Sequence, residues 1–292
     1  MRLAFVLSNS KRLPTRAAVG AALAEYPGMA PATWLDDTSK DALSFEAGGV
    51  EVMVAHLPAP VPNGEADAAT EHSISGVSHQ WSLPEHTSHL VCMLRQGDSG
   101  LAEMVRFTRV VAAIARAAHA VGVYWGEGHV THHPELFTGL ASSDLPLPLW
   151  VGVSVAAGKK GVELLSIGMK QLGLPDLLLT APQLSSQALE FFYDLLAYVT
   201  RRGEALPEGD TVGRSEREHY TVRYGPSPVD AQEKVWMVEL GGAALAPAKT
   251  AVVKKAVAKK KPAAKKKPAA KKAVPAKKAQ PKKKPAAKKR KR

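Results

Sequence analysis

Acidic residues are absent from the end of this chain: between Lys249 and Arg292 there is no Asp or Glu, no aromatic residue, and after Val274 no large aliphatic one. Such a segment cannot bury enough apolar surface to offset the entropy of ordering it, so a packed core is excluded there. Cysteine is nearly absent too. Cys92 stands alone among 292 residues, which excludes a disulfide framework and fits a reducing cytoplasm. Long hydrophobic runs are missing as well: Leu3–Leu7 is too short for a secretory core, and Leu145–Ala157 is broken by Pro146 and Pro148. No membrane span is expected from either.

What is present is a strong division of charge. The stretch from Lys249 to Arg292 holds 21 of the 39 Lys and Arg, so the preceding body keeps 18 basic residues against all 27 acidic ones, a net −9 beside a tail of +21. Asymmetry of this size marks an interaction tail. The reading is a globular domain over residues 1–245, with 1–97 and 98–245 as candidate halves, and a disordered Lys/Ala/Pro-rich tail over 246–292.

The tail repeats Lys-Lys-Pro-Ala-Ala, as at Lys260–Ala264 and Lys266–Ala270. Recurring prolines interrupt any continuous helix and favour extended stretches. Its cations are Lys254, Lys255, Lys259, Lys260, Lys261, Lys265, Lys266, Lys267, Lys271, Lys272, Lys277, Lys278, Lys282, Lys283, Lys284, Lys288, Lys289, Arg290, Lys291 and Arg292, with Lys249 ahead of them. Duplex DNA carries one charge per ~1.7 Å, so these cations match roughly 36 Å, about ten base pairs. Lysine dominates and nothing aromatic can stack on a base, so the tail is expected to read phosphates and not sequence. DNA is the expected polyanion; RNA, polyphosphate or an anionic membrane would suit the charge equally. The pattern resembles the C-terminal tails of linker histones and of the lysine-, alanine- and proline-rich histone-like proteins of bacteria. That resemblance is compositional and covers the tail alone. The alanine-rich, lysine-poor body points to a high-GC bacterium, and hence to a cytoplasmic, nucleoid-associated location.

In the body, Met1–Leu7 reads as a buried strand and the segment from Pro14 to Tyr26 as a helix. Thr33–Leu35, Ala42–Glu46 and Val50–His56 read as strands, the last two joined at Gly48-Gly49. Glu65–Gln80 is a weak helix candidate, and Leu90–Leu94 a strand. Leu101–Val121 is the strongest helix, with Met104, Phe107, Val111, Ile114 and Ala118 at three- and four-residue steps. Trp150–Ala156 and Val162–Ile167 form a hairpin, Leu184–Thr200 is a second amphipathic helix, and strands at Tyr220–Tyr224 and Val235–Leu240 close the body. The order through Leu94 is the ferredoxin-like one, which predicts an α+β fold: an antiparallel sheet with helices packed on one face, with two related halves as an option.

Several motifs occur in a familiar order: Val123-Tyr124-Trp125-Gly126, Pro134-Glu135 with Phe137, Leu149-Trp150-Val151-Gly152, then the run from Ser166 to Leu177, Ser-Ile-Gly-Met-Lys-Gln-Leu-Gly-Leu-Pro-Asp-Leu. Together they resemble the bacterial domain of unknown function 4261 family. The resemblance implies an α+β fold and brings no catalytic residue set; the lysine-rich tail is no part of that family pattern. Read physically, Gly168, Gly173 and Pro175 are turn positions, and Tyr124, Trp125 and Trp150 are core residues.

Candidate chemistry is thin. His129, His132, His133 and Glu135 could offer zinc or iron two imidazoles and a carboxylate, but without the H-E-x-x-H spacing; they are expected to be solvated loop residues. His72, His79, His86 and His89 recur at seven, seven and three residues, and core or edge roles are expected. Cys92 reads as a small buried hydrophobe. Gly158-Lys159-Lys160-Gly161 lacks the phosphate-loop spacing and reads as a hairpin turn. No nucleophile elbow is present. The sequence therefore predicts no catalytic residues, no metal and no cofactor. It favours a non-enzymatic DNA-binding protein whose body meets an unknown protein partner or a second copy of itself. The alternatives are a partner-binding module with the tail as an electrostatic tether, and a metal-dependent enzyme.

Overall fold

The computed structural model describes residues 2–29, 31–35, 40–77, 81–96, 100–215 and 218–241. The expected tail, 246–292, lies outside the described residues, and so does His79. Up to the second sheet the elements are β1 (Arg2–Ser8), α1 (Arg16–Leu23), β2 (Thr33–Trp34), β3 (Ala42–Ala47), β4 (Val50–Leu57), α2 (Glu65–Ala68), α3 (Ile74–Val77), β5 (Ser88–Gln96), α4 (Leu101–Ala117), β6 (Gly122–Trp125), β7 (Val130–His132) and α5 (Pro134–Leu140). After them come β8 (Gly152–Gly158), β9 (Gly161–Ile167), β10 (Leu177–Ala181), α6 (Ser186–Arg202), β11 (Thr211–Val212), β12 (Tyr220–Thr221), β13 (Arg223–Pro226) and β14 (Lys234–Glu239).

The fold is α+β with mainly antiparallel sheets, as the sequence predicts, the exception being the parallel pair of β10 and β14. β1 to β7 form a seven-stranded sheet in the order β2-β3-β4-β5-β1-β6-β7, and a five-stranded sheet runs β13-β14-β10-β9-β8. The first sheet thus extends to His132, well past residue 97. Its strand order also departs from the ferredoxin-like one, in which the first strand lies against the third; here β5 lies between β4 and β1. The physical reason is in the connection. Among the described residues between β4 and β5 there are only short helical turns, and β5 returns beside β4 as its antiparallel neighbour.

That connection also corrects the expectation of helices on one face. The expected helix Glu65–Gln80 is broken, over its described part to Val77, into short helical turns, with Asn63 at φ 58 before them. Alternation along β1 decides which face each turn meets. Ala4 and Val6 enter the main core with α1 and α4, while Leu7 joins Val61, Ala66, Ala69 and Tyr124 in a small cluster on the opposite face.

The longer helices follow their apolar stripes. Met104, Phe107, Val111 and Ile114 of α4 are fully buried, and Phe107 packs against Trp125 with ring centroids 5.7 Å apart. α4 ends at Ala117, before the expected Val121, with His119 in a left-handed conformation at φ 49. α6 starts on the Ser185 hydroxyl, which accepts from Ala188 N, and stops at Gly203, φ 74, whose N–H reaches the carbonyls of Val199 and Thr200.

Both sheets share one hydrophobic core, and they meet at a polar, close-packed junction. A Cβ on Gly128 would lie 2.0 Å from the Trp150 carbonyl oxygen, and one on Gly168 would lie 2.8 Å from Gly128 Cα. Gln171 ties the sides together. Its Oε1 accepts from Trp125 Nε1 at 2.9 Å, and its Nε2 donates to the carbonyls of Trp150 (2.9 Å) and Gly168 (2.7 Å). The indole of Trp150 donates to Thr108 Oγ1 of α4 at 2.7 Å. These bonds satisfy groups that would otherwise be costly to bury.

Two glycine substitutions should therefore act in opposite directions. Gly128→Ala forces a methyl into backbone and should cost more than about 3 kcal/mol. Gly139→Ala, in α5 with nothing within 4 Å of the new Cβ, should gain about 0.5–1 kcal/mol by removing helical glycine. Urea unfolding midpoints of the two variants check both signs.

Candidate functional site

The run from Ser166 to Leu177 builds a self-satisfied turn. Ser166 Oγ donates to Asp176 Oδ1 at 2.6 Å and accepts from Leu177 N at 2.8 Å, while the same carboxylate oxygen accepts from Met169 N at 3.1 Å. Burial raises the Asp176 carboxyl above its ordinary range, and the bonds from Ser166 and the turn amides oppose that rise. With the Ser166 hydroxyl held between a carboxylate and a backbone amide, the turn holds a structure together and offers no activated nucleophile.

The histidine groups separate on inspection of their surroundings. His132 is no loop residue: it lies on β7, paired with Val123, and is completely buried. Its Nε2 lies 3.2 Å from the Leu149 carbonyl, which assigns the proton to that nitrogen, and its Nδ1 has no partner. Burial lowers its pKa to about 4, against the pull of the Leu149 bond. His129 is exposed in a left-handed turn at φ 44. His133 caps α5 through Nδ1, which accepts from Glu135 N, and its ring meets the edge of Trp81. Three neighbouring histidines thus occupy three different environments.

In the second group, His72 sits 3.9 Å from Glu71. His86 and His89 fasten the connection after β4: His86 Nε2 accepts from Val61 N at 3.3 Å, and His89 Nδ1 lies 2.7 Å from the Ala59 carbonyl. Burial lowers the pKa of His89, with the Ala59 bond opposing. His56, which the sequence analysis places only inside a strand, holds the other side of this edge with Nε2 3.1 Å from the Ser10 carbonyl. Its signal was its even-numbered register with Val50, Val52 and Val54, which turns its side chain toward the same face. Among the described residues no three His, Cys, Asp or Glu stand close enough to hold a metal ion. Cys92 is buried in the main core, where burial pushes its thiol well above its ordinary value. The tail cations from Lys254 to Arg292 lie outside the described residues. No helix among the described residues is long and apolar enough to cross a membrane.

The burial of His132 makes two outcomes measurable. His129→Ala should change stability by no more than about 0.5 kcal/mol, whereas His132→Ala should cost about 2 kcal/mol or more, as for other large-to-small changes in a core. The folded pKa of His132, about 4, lies below the unfolded value of about 6.5. The unfolded chain therefore takes up the proton first as pH falls. The contribution of neutral His132 is complete above pH ~6.5 and is lost progressively toward pH ~4, by up to about 3 kcal/mol. Unfolding midpoints of wild type and His132→Gln across this range check the slope, which the variant should flatten.

No curated protein and no solved structure matches the chain. The motifs at 123–126, 134–137 and 149–152 precede the segment that a family does match. Residues 165–239, from the end of β9 through β14 and including the Ser166–Asp176 turn and Gln171, match the family described as Domain of unknown function (DUF4261).

Proposed function

We propose that this is a non-enzymatic, nucleoid-associated protein that binds DNA without sequence preference through its polycationic tail, with the body serving as a partner-binding or self-association module. The observation that carries the reading is the charge division: 21 cations and no anion from Lys249 to Arg292, beside a body of net −9. A body of that sign repels a polyanion overall, so attraction is assigned to the tail. Release of condensed counterions drives such binding, and lysines that reach only phosphates carry no base readout. The body's polar motifs support the non-enzymatic reading, because Ser166 and Asp176 are spent on each other and on the backbone, and Gln171 on the Trp125 indole and the backbone.

Removing 246–292 should lower affinity for plain duplex DNA by at least tenfold at the same salt. For the full chain, log K should fall linearly with log salt and barely change between random duplexes of equal length. Fluorescence anisotropy over a salt series measures all three. Undiminished binding after truncation would sink the proposal and leave the tail as an electrostatic tether on a partner-binding module.

A further inference from the structure

β10 and β14 are the parallel pair of the second sheet, joined through a crossover that contains α6. The two strands therefore end side by side at their carboxyl ends. A cavity of 530 Å³ lies at that place. Its lining includes Thr180 at the end of β10, and Met237, Val238, Glu239 and Gly241 at the end of β14. Thr221 and Arg223 come from the neighbouring strands, and Lys160 from the β8–β9 hairpin tip. The volume is that of a small-molecule site.

Two cations and two threonines line it, together with His219, Tyr220 and the Glu239 carboxylate. Arg223 is exposed and makes no ion pair among the described residues. The hydroxyls of Thr180 and Thr221 make no hydrogen bond there either. Lys160 Nζ lies 2.8 Å from both carboxylate oxygens of Glu239. That pair is open to solvent, with side chains 67% and 52% exposed, and an exposed pair contributes only about 0–1 kcal/mol. A phosphate can draw Lys160 away from Glu239 at small cost, because the exposed pair it gives up is weak. A guanidinium, an ammonium and two hydroxyls beside the Met237 side chain suit a phosphate carried on a small organic group.

We propose that this cavity is a phosphate-binding site taking a ligand of nucleotide size, with Arg223 and Lys160 holding the phosphate. The inference does not rest on the tail. Two sources share this chemistry, a free phosphorylated small molecule and the backbone of a nucleic acid.

The test uses the full chain with ¹³C-methyl methionine. Met237 lines the cavity, while Met104 and Met169 are fully buried in the main core and serve as internal references. Its signal is assigned by Met237→Leu. The probes are inorganic pyrophosphate, a nucleoside monophosphate and a short DNA duplex. The Met237 methyl should shift saturably with at least one probe while Met104 and Met169 stay in place. Arg223→Glu should weaken that response at least tenfold, and Lys160→Ala several-fold. Unchanged Met104 and Met169 signals in both variants certify the fold. A shift with the nucleotide and not the duplex assigns a free ligand; a shift with the duplex alone assigns nucleic-acid phosphate. No shift of Met237 with any probe, or an equal shift in Arg223→Glu, overturns the site. Duplex anisotropy, measured separately, reports the tail, so failure of either proposal is visible without the other.

Discussion

The two sheets of this protein can share one core only because backbone meets backbone between them. At Gly128 the Trp150 carbonyl occupies the space a side chain would need, and Gly168 lies against Gly128 in turn. Polar groups brought so deep must all be paired, and the Gln171 side chain does this with three hydrogen bonds, to Trp125, Trp150 and Gly168. Trp125 and Trp150 then project their rings into the core formed with α4. Loss of this close approach would separate the sheets by about the width of a methyl group and leave the Trp125 indole N–H without its Gln171 partner.

This dependence gives physical content to the residues that resemble a known family. Gly168, Gln171 and Asp176 lie in the matched segment 165–239, and each has a structural task at or beside the junction. Their pattern reflects what two sheets need in order to meet. On the body, Arg223 makes no ion pair among the described residues, and Lys160 is held only loosely by the exposed Glu239. The proposed division of labour is electrostatic: the +21 tail favours long polyanions, whereas phosphate recognition on the net −9 body is proposed to rest on local cations that act against the overall charge.

Much of the architecture was legible because periodicity is a local signal. The stripe of Met104, Phe107, Val111 and Ile114 located α4, and the two-residue turn at Lys159-Lys160 located the β8–β9 hairpin. The stretch after β4 was not legible. Val61, Ala66 and Ala69 are spaced to meet Leu7 and Tyr124 on the back of a sheet, and no helical stripe announces that. Strand order was hidden for the same reason, since pairing of β5 with both β4 and β1 depends on how residues 58–87 return and not on the strands themselves. The histidines show the limit at single residues. His129, His132 and His133 look alike in sequence, and only the pairing of β7 with β6 separates a buried neutral ring from an exposed one and a helix cap.

By itself, the sequence determined the α+β class, the long helices, the hairpin and the charge division, because each is set by composition or by contacts within a few residues. The tertiary structure alone decided which glycines are irreplaceable, which histidine is buried, and that Lys160, Thr180 and Arg223 line one cavity. Those residues are distant in sequence, and they become neighbours only when the parallel pairing of β10 with β14 brings their strands to a common end.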